Sequence, residues 1–257
     1  MPSTISVSGI DLEVEERGSG RPLLFLHSGE GLQPNWPWLD ALAENFRVIA
    51  PNHPGWGGSP LPRWVSSVDD LAYLYLDLAA QIDLQDAFIV GNSFGGWIAA
   101  EMLVRDASRF SANVLAAPLG CKFEGRTTRE ITDMHSLDRE TLAALAWADP
   151  ARGSEDYPAK SEVELTQIVQ GREAFALFGW KPYMHSPRLK NWLHRITVPT
   201  MVVWGEQDQI TGKAYAEHWV NALPTAGLAT IADAGHYPQF EQPEAFASLI
   251  AGFALPE

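Results

Sequence analysis

Apolar residues arrive along this chain in two rhythms. Short runs bounded by Gly, Pro, Asn or Asp occupy 22–27, 46–51, 87–91, 112–116, 200–205 and 228–231. Their length and β-branched content predict buried strands. Between several of them lie stretches of helical period. In 68–82 the residues Val68, Leu71, Ala72, Tyr75, Leu78, Ala79 and Ile82 recur at three- and four-residue steps and form one apolar stripe. Strands alternating with helices predict a mostly parallel sheet covered by helices. The first two segments, 4–7 and 12–16, instead alternate apolar and polar residues around Gly9-Ile10-Asp11, which predicts an antiparallel hairpin at the sheet edge. Six runs and one hairpin give eight strands.

One region breaks this rhythm. From Leu119 to about Ile196 no run reads as a strand, while 138–147 and 162–178 group in helix-like fashion. The expected organisation is an α/β core over 1–118 and 197–257, interrupted by a helical cap over 119–196. Aromatic residues of the cap are candidates for an apolar substrate cleft, Trp147, Phe178 and Trp180 foremost, with Phe175 and Tyr183 beside them. Aromatic residues on helices also simply pack cores, so each has both readings.

The chain has 257 residues with 46% hydrophobic and 19% charged, a mixture that buries one substantial core. Its 18 Lys and Arg against 32 Asp and Glu leave a formal charge of −14, which repels phosphate backbones and anionic lipid surfaces, so neither nucleic acid nor membrane is an expected partner. A single cysteine, Cys121, excludes an intrachain disulfide framework or a Cys-built zinc cluster. The first residues carry no basic and apolar leader pattern, and the apolar runs fall far short of the roughly 20 residues of a membrane span. A cytoplasmic protein is expected, monomeric or a homodimer, with a small molecule as its partner.

The sharpest local signal is Gly91-Asn92-Ser93-Phe94-Gly95-Gly96, which follows the run 87–90 and precedes the helical run 97–104. This G-x-S-x-G elbow turns a strand sharply into a helix, so the middle residue takes strained dihedrals and small flanking residues let backbones pass closely. Ser93 would stand proud of the sheet, with the Phe94 N–H at the helix start aimed where an oxyanion forms. A dinucleotide fingerprint fails because Ser93 stands at the third position of G-x-G-x-x-G, where its second glycine belongs, and a phosphate loop fails for want of Gly-Lys-Ser/Thr. Two partners follow strands farther on: Asp208 in Trp204-Gly205-Glu206-Gln207-Asp208 and His236 in Ala234-Gly235-His236-Tyr237-Pro238. In a parallel sheet those loops converge on the edge that carries Ser93. A serine hydroxyl needs a base, so His236 would take its proton while Asp208 fixes the tautomer; Glu206 is the competing acid. His27 and His53 lie in turns and read as hydrogen-bonded loop residues. His135, His185, His194 and His218 show no metal-binding spacing, so neither metal nor cofactor is expected.

With the pre-oxyanion stretch Leu24-Phe25-Leu26-His27-Ser28-Gly29-Glu30-Gly31, the turn His53-Pro54-Gly55-Trp56-Gly57-Gly58-Ser59, the elbow and the closing Gly235-His236, the chain resembles the α/β-hydrolase fold superfamily over nearly its whole length. The resemblance implies an α/β-hydrolase fold with an inserted helical cap, a Ser93-His236-Asp208 triad, and Gly29 and Phe94 as oxyanion-hole donors. It departs from the usual pattern at Ser28, where the family usually shows glycine. The implied activity is cleavage of a small, largely apolar ester through an acyl-enzyme, with Tyr237 joining the cap aromatics around the substrate. A serine nucleophile disfavours epoxide and haloalkane chemistry, which needs a carboxylate there. The turn and elbow also resemble those of meta-cleavage-product hydrolases, which cut carbon–carbon bonds and hold a substrate carboxylate with a cap arginine, for which Arg172 or Arg188 could stand here. That family tends to carry Trp after the catalytic histidine, where this chain has Tyr237 and Phe240. A ligand-binding receptor of the same fold is the reading from another class.

Overall fold

The computed structural model describes residues 2–32, 37–154 and 156–254. Strands β1 (Ser3–Val7) and β2 (Ile10–Arg17) open the chain, followed by β3 (Arg21–Leu26), helix α1 (Pro37–Ala43) and β4 (Phe46–Pro51). Helix α2 (Val68–Gln81), β5 (Ala87–Asn92), α3 (Phe94–Arg105) and β6 (Phe110–Ala116) continue the alternation. Helices α4 (Arg139–Ala146) and α5 (Glu162–Gly179) fill the interval before β7 (Thr200–Gly205), and α6 (Lys213–Ala222), β8 (Ala226–Ile231), α7 (Pro238–Glu241) and α8 (Pro243–Ala254) close the chain.

The eight strands form one sheet in the order β1-β2-β4-β3-β5-β6-β7-β8, parallel from β4 to β8 and antiparallel at β1–β2 and β2–β4. Successive residues of each inner strand serve opposite faces, as the pleat demands. Leu24 and Leu26 join the core beneath α2, α3 and α6, whereas Leu23 and Phe25 join the core beneath α1 and α8. The expected hairpin is present with a shifted turn. Val7 pairs with Ile10, so Ser8 and Gly9 alone make the turn, at φ 51° and 79°. A two-residue loop with both residues left-handed matches strand twist, which is why Ile10 and Asp11 belong to the strand.

Helix ends follow local chemistry. Ser67 and Asp70 form a capping box at α2, Ser161 and Glu164 another at α5, and Asp138 caps α4. Between β6 and β7 the described residues form helices α4 and α5, short 3-10 turns and irregular loops with isolated bridges such as Gly120 to His185. No helix among the described residues is long and apolar enough to cross a membrane.

Candidate active site

Because β3 to β8 run parallel, the loops after their carboxyl ends collect at one edge of the sheet. Ser93 sits there between β5 and α3 at φ 53° and ψ −110°, a left-handed conformation held by hydrogen bonds from its N–H to Ala116 O (2.8 Å) and to its carbonyl from Trp97 N (3.2 Å) and Leu119 N (3.0 Å). The loop after β7 brings Asp208, and the loop after β8 brings His236. Gln207 N–H donates to Ala234 O (2.9 Å), joining these two loops.

The three side chains form a hydrogen-bonded line. His236 Nε2 lies 2.8 Å from Ser93 Oγ, and His236 Nδ1 lies 2.9 Å from Asp208 Oδ2. Neither the histidine nor the aspartate side chain has exposed surface. Asp208 Oδ1 accepts from the N–H groups of Ile210 (2.8 Å) and Thr211 (3.1 Å), and Oδ2 also accepts from Thr211 Oγ1 (2.8 Å). A carboxylate so supplied with donors is fixed in orientation. With Nδ1–H donating to Asp208, Nε2 is left as the acceptor facing the serine hydroxyl. Glu206 turns outward, accepting from Thr230 Oγ1 (3.2 Å).

Gly29 follows β3 two residues after His27, and Phe94 begins α3. No hydrogen bond from either N–H to another described residue is present. The Gly29 loop is pinned from below. Trp56 Nε1 donates to Gly29 O (2.9 Å), and Gly31 N–H closes a turn onto Ser28 O (3.1 Å). His27 and His53 are the foundation of that loop, as hydrogen-bonded residues. His27 Nδ1 donates to Ser28 O (2.6 Å) while its Nε2 accepts from His53 N–H (2.9 Å). His53 Nε2 donates to His27 O (3.0 Å), and its Nδ1 accepts from the Tyr75 hydroxyl. Both rings are therefore neutral; burial pushes His27 down to about 3 and, with the neighbouring His27, pushes His53 well below its ordinary value.

Since the unfolded rings titrate near 6.5, the unfolded chain binds more protons below that pH, and the stability contributed by neutral burial is full above it and lost as pH falls toward 3. At pH 5 each of the two rings forgoes about 2 kcal/mol of protonation free energy that the unfolded chain gains. The unfolding midpoint is expected to drop by about 5–10 °C between pH 7 and pH 5. Differential scanning calorimetry checks this, and a midpoint constant over that interval contradicts it.

A cavity of about 650 Å³ opens above this edge, walled by α4, α5 and the turn after His236. Trp147 and Tyr237 line it, with Phe240 completing an aromatic wall: Trp147 and Phe240 stack at 5.9 Å, and Tyr237 and Phe240 at 5.7 Å. Phe178 does not line it. It is buried behind, stacked on Trp56 and Phe94, because its position on α5 continues the stripe of Gly171 and Ala174 that faces the core. Trp180 also departs from expectation: it caps the end of α5 with 63% of its surface exposed, its ring 5.7 Å from that of His135. Arg172 lines the cavity, but Arg188 lies in a separate surface groove with Tyr73 and Trp192. Tyr183 is spent on the backbone, between Met134 N–H and Thr132 O. Cys121 is buried with its thiol pushed well above its ordinary value by desolvation.

Glu241 is the residue that sequence reasoning missed. Buried on α7, it accepts from Gly235 N–H (2.6 Å) through Oε2 and from Ala148 N–H (2.8 Å) and Asp149 N–H (3.2 Å) through Oε1. It ties the His236 loop to the end of α4, beside the bond from His236 N–H to Ala146 O (2.7 Å). Gln239 likewise bonds Asn92 Oδ1 (2.9 Å), next to Ser93. Neither belongs to a recognisable spacing. The only local hint is polar residues flanking the apolar run of α8. Among the described residues no group of three His, Cys, Asp or Glu is placed to hold a metal ion.

The sequence pattern of the Alpha/beta hydrolase family matches residues 23–249, and the chain belongs to that family. It is 30% identical over 260 residues to the dihydrolipoyllysine-residue acetyltransferase component of the acetoin cleaving system of Cupriavidus necator, covering 95% of this chain and 66% of that protein, just under two thirds of its length. It is 28% identical over 281 residues to 2-hydroxymuconate semialdehyde hydrolase of a Pseudomonas species, covering 97% and 92%. A meta-cleavage product hydrolase of Pseudomonas fluorescens has the same fold, with a TM-score of 0.79 at 21% identity over 98% of this chain and 96% of that one.

Proposed function

We propose that this chain is a serine hydrolase that cleaves a small, largely apolar ester through an acyl-enzyme. The observation that carries the reading is the buried line from Ser93 Oγ through His236 to Asp208, at 2.8 and 2.9 Å. Ser93 Oγ attacks the ester carbonyl carbon as its proton passes to His236 Nε2; Asp208 stabilises the imidazolium, and the Gly29 and Phe94 N–H groups hold the oxyanion. Collapse breaks the bond to the alkoxy oxygen, which leaves with the proton from His236. Water, deprotonated by the same imidazole, then releases the acid. Residues 119–196 act as the cap, and Trp147 and Tyr237 give the substrate an apolar wall.

A fluorophosphonate tests this. Ser93 Oγ displaces fluoride at phosphorus, so wild type is expected to gain one phosphonyl mass on the peptide containing Ser93 and to lose p-nitrophenyl ester turnover in proportion. A folded wild type that stays unlabelled supports a ligand-binding role of the same fold instead.

Carbon–carbon cleavage is the second reading. Arg139 and Arg172 line the cavity and both lie over the ring of Tyr157, at 3.9 and 5.6 Å, in a chain of net charge −14. Arg172 donates to the Tyr157 hydroxyl (2.5 Å) and neither arginine pairs with a described carboxylate, so both are placed to meet a substrate carboxylate. The relative named for 2-hydroxymuconate semialdehyde adds weight to this alternative. Decay of a coloured ring-fission product faster than ester turnover establishes it; no decay removes it.

A further inference from the structure

The cavity stops short of the serine. Ser93 is 2% exposed and does not line the cavity, whereas Phe175 of α5 does. The Phe175 ring lies on Gly29, where an added Cβ would meet ring carbons Cδ1 and Cε1 at 2.9 Å, and it packs edge-on against Phe94 with centroids 5.4 Å apart. One ring therefore covers both residues whose N–H groups flank the nucleophile.

The helix beneath that ring is anchored. An added Cβ on Gly171 would come within 2.7 Å of Trp56 Cδ1, and one on Gly55 within 2.5 Å of Ala174 Cβ, so α5 already sits as low on the core as small residues allow. Phe178, one turn on, is stacked on Trp56 and Phe94. Phe175 differs from these neighbours. It is half-buried, lines the cavity, and has the His135 ring 5.8 Å away. A helical aromatic residue has two χ1 wells, and with the helix fixed the ring leaves Gly29 by turning into the cavity.

We propose that Phe175 is a shutter between the cavity and Ser93, and that its ring sets which acyl groups reach the nucleophile; the proposal rests on the serine-hydrolase reading above. Closed, the ring keeps water from the triad. An arriving acyl group takes the ring's place against Gly29 and Phe94, so flat or slender acyl groups of about the ring's own bulk are admitted and branched ones are refused. Phe175 acts on access and specificity; the proton transfers belong to Ser93 and His236.

Two measurements on the whole chain test this: the second-order rate of labelling by diisopropyl fluorophosphate, and kcat/KM for p-nitrophenyl esters from acetate to branched and longer acyl groups. A minor open state populated at no more than about 10% predicts that Phe175→Ala labels about tenfold faster or more. Its acyl preference moves toward branched groups, with Phe175→Leu in between. Leu177→Ala, exposed on the same helix, labels as wild type does. Folded Phe175→Ala and Phe175→Leu that label at the wild-type rate with an unchanged acyl profile overturn the shutter while leaving the serine-hydrolase reading in place. Labelling of none of the proteins overturns both.

Discussion

Ser93→Ala is expected to lower ester turnover by about 10⁴-fold or more, and Asp208→Asn by about 10⁴-fold, with the fold retained in both. Among the described residues Ser93 Oγ is bonded only to His236 Nε2, so its removal leaves the elbow's backbone bonds in place. The aspartate case is sharper because the surroundings dictate how the amide must sit. Oδ1 accepts two backbone N–H groups, from Ile210 and Thr211, so that position must remain oxygen in the variant. The NH₂ then falls at Oδ2, against His236 Nδ1. Facing a donor, Nδ1 becomes an acceptor and the ring's proton moves to Nε2, where it can no longer receive one from Ser93. Glu206→Gln, exposed and turned toward Thr230, is expected to leave turnover unchanged. Initial rates on a p-nitrophenyl ester decide the matter. Asp208→Asn retaining more than about 1% of wild-type kcat contradicts the assigned tautomer.

The strands and the elbow were legible in the sequence because their signals are local. The stretch 201–204 is apolar throughout because both faces of a central parallel strand are buried, and Gly91-Asn92-Ser93-Phe94-Gly95-Gly96 carries its own turn chemistry. Helix α4 was bounded almost to the residue, since Asp138 caps one end and Trp147 the other. What sequence could not place was which side of a helix faces what. Phe175 and Phe178 are three positions apart, yet one borders the cavity and the other is sealed against Trp56, a difference set by how far α5 descends onto Gly55. Trp180 looked like a lining residue because it is aromatic, but it follows the end of α5, where the chain turns toward solvent. Glu241 was invisible for another reason. Its three partners come from Gly235, Ala148 and Asp149, which meet it only after the β6–β7 segment has folded back over the His236 loop.

Gly95→Ala is expected to remove most or all of the folded population, although it adds one methyl group. A Cβ there would stand 2.0 Å from Leu26 O, 2.4 Å from Leu26 C and 2.6 Å from His27 O. These are backbone atoms at the end of β3, which pairs with β4 and β5 and continues into the Gly29 loop, so no side-chain rotation relieves the clash. Helix α3 cannot lift away either, since Phe94 to Val104 are all buried. The strain must be taken by the sheet or by the helix, at a cost comparable with the 5–15 kcal/mol that holds a typical domain folded, roughly. Gly252→Ala in α8 is the counterpart. Its added methyl meets nothing within 4 Å, and a helical glycine replaced by alanine gains about 0.5–1 kcal/mol. Urea unfolding of the two variants should therefore move in opposite directions from wild type. If Gly95→Ala unfolds within about 1 kcal/mol of wild type, β3 and α3 are not in the close contact on which the positions of Gly29 and Phe94 depend.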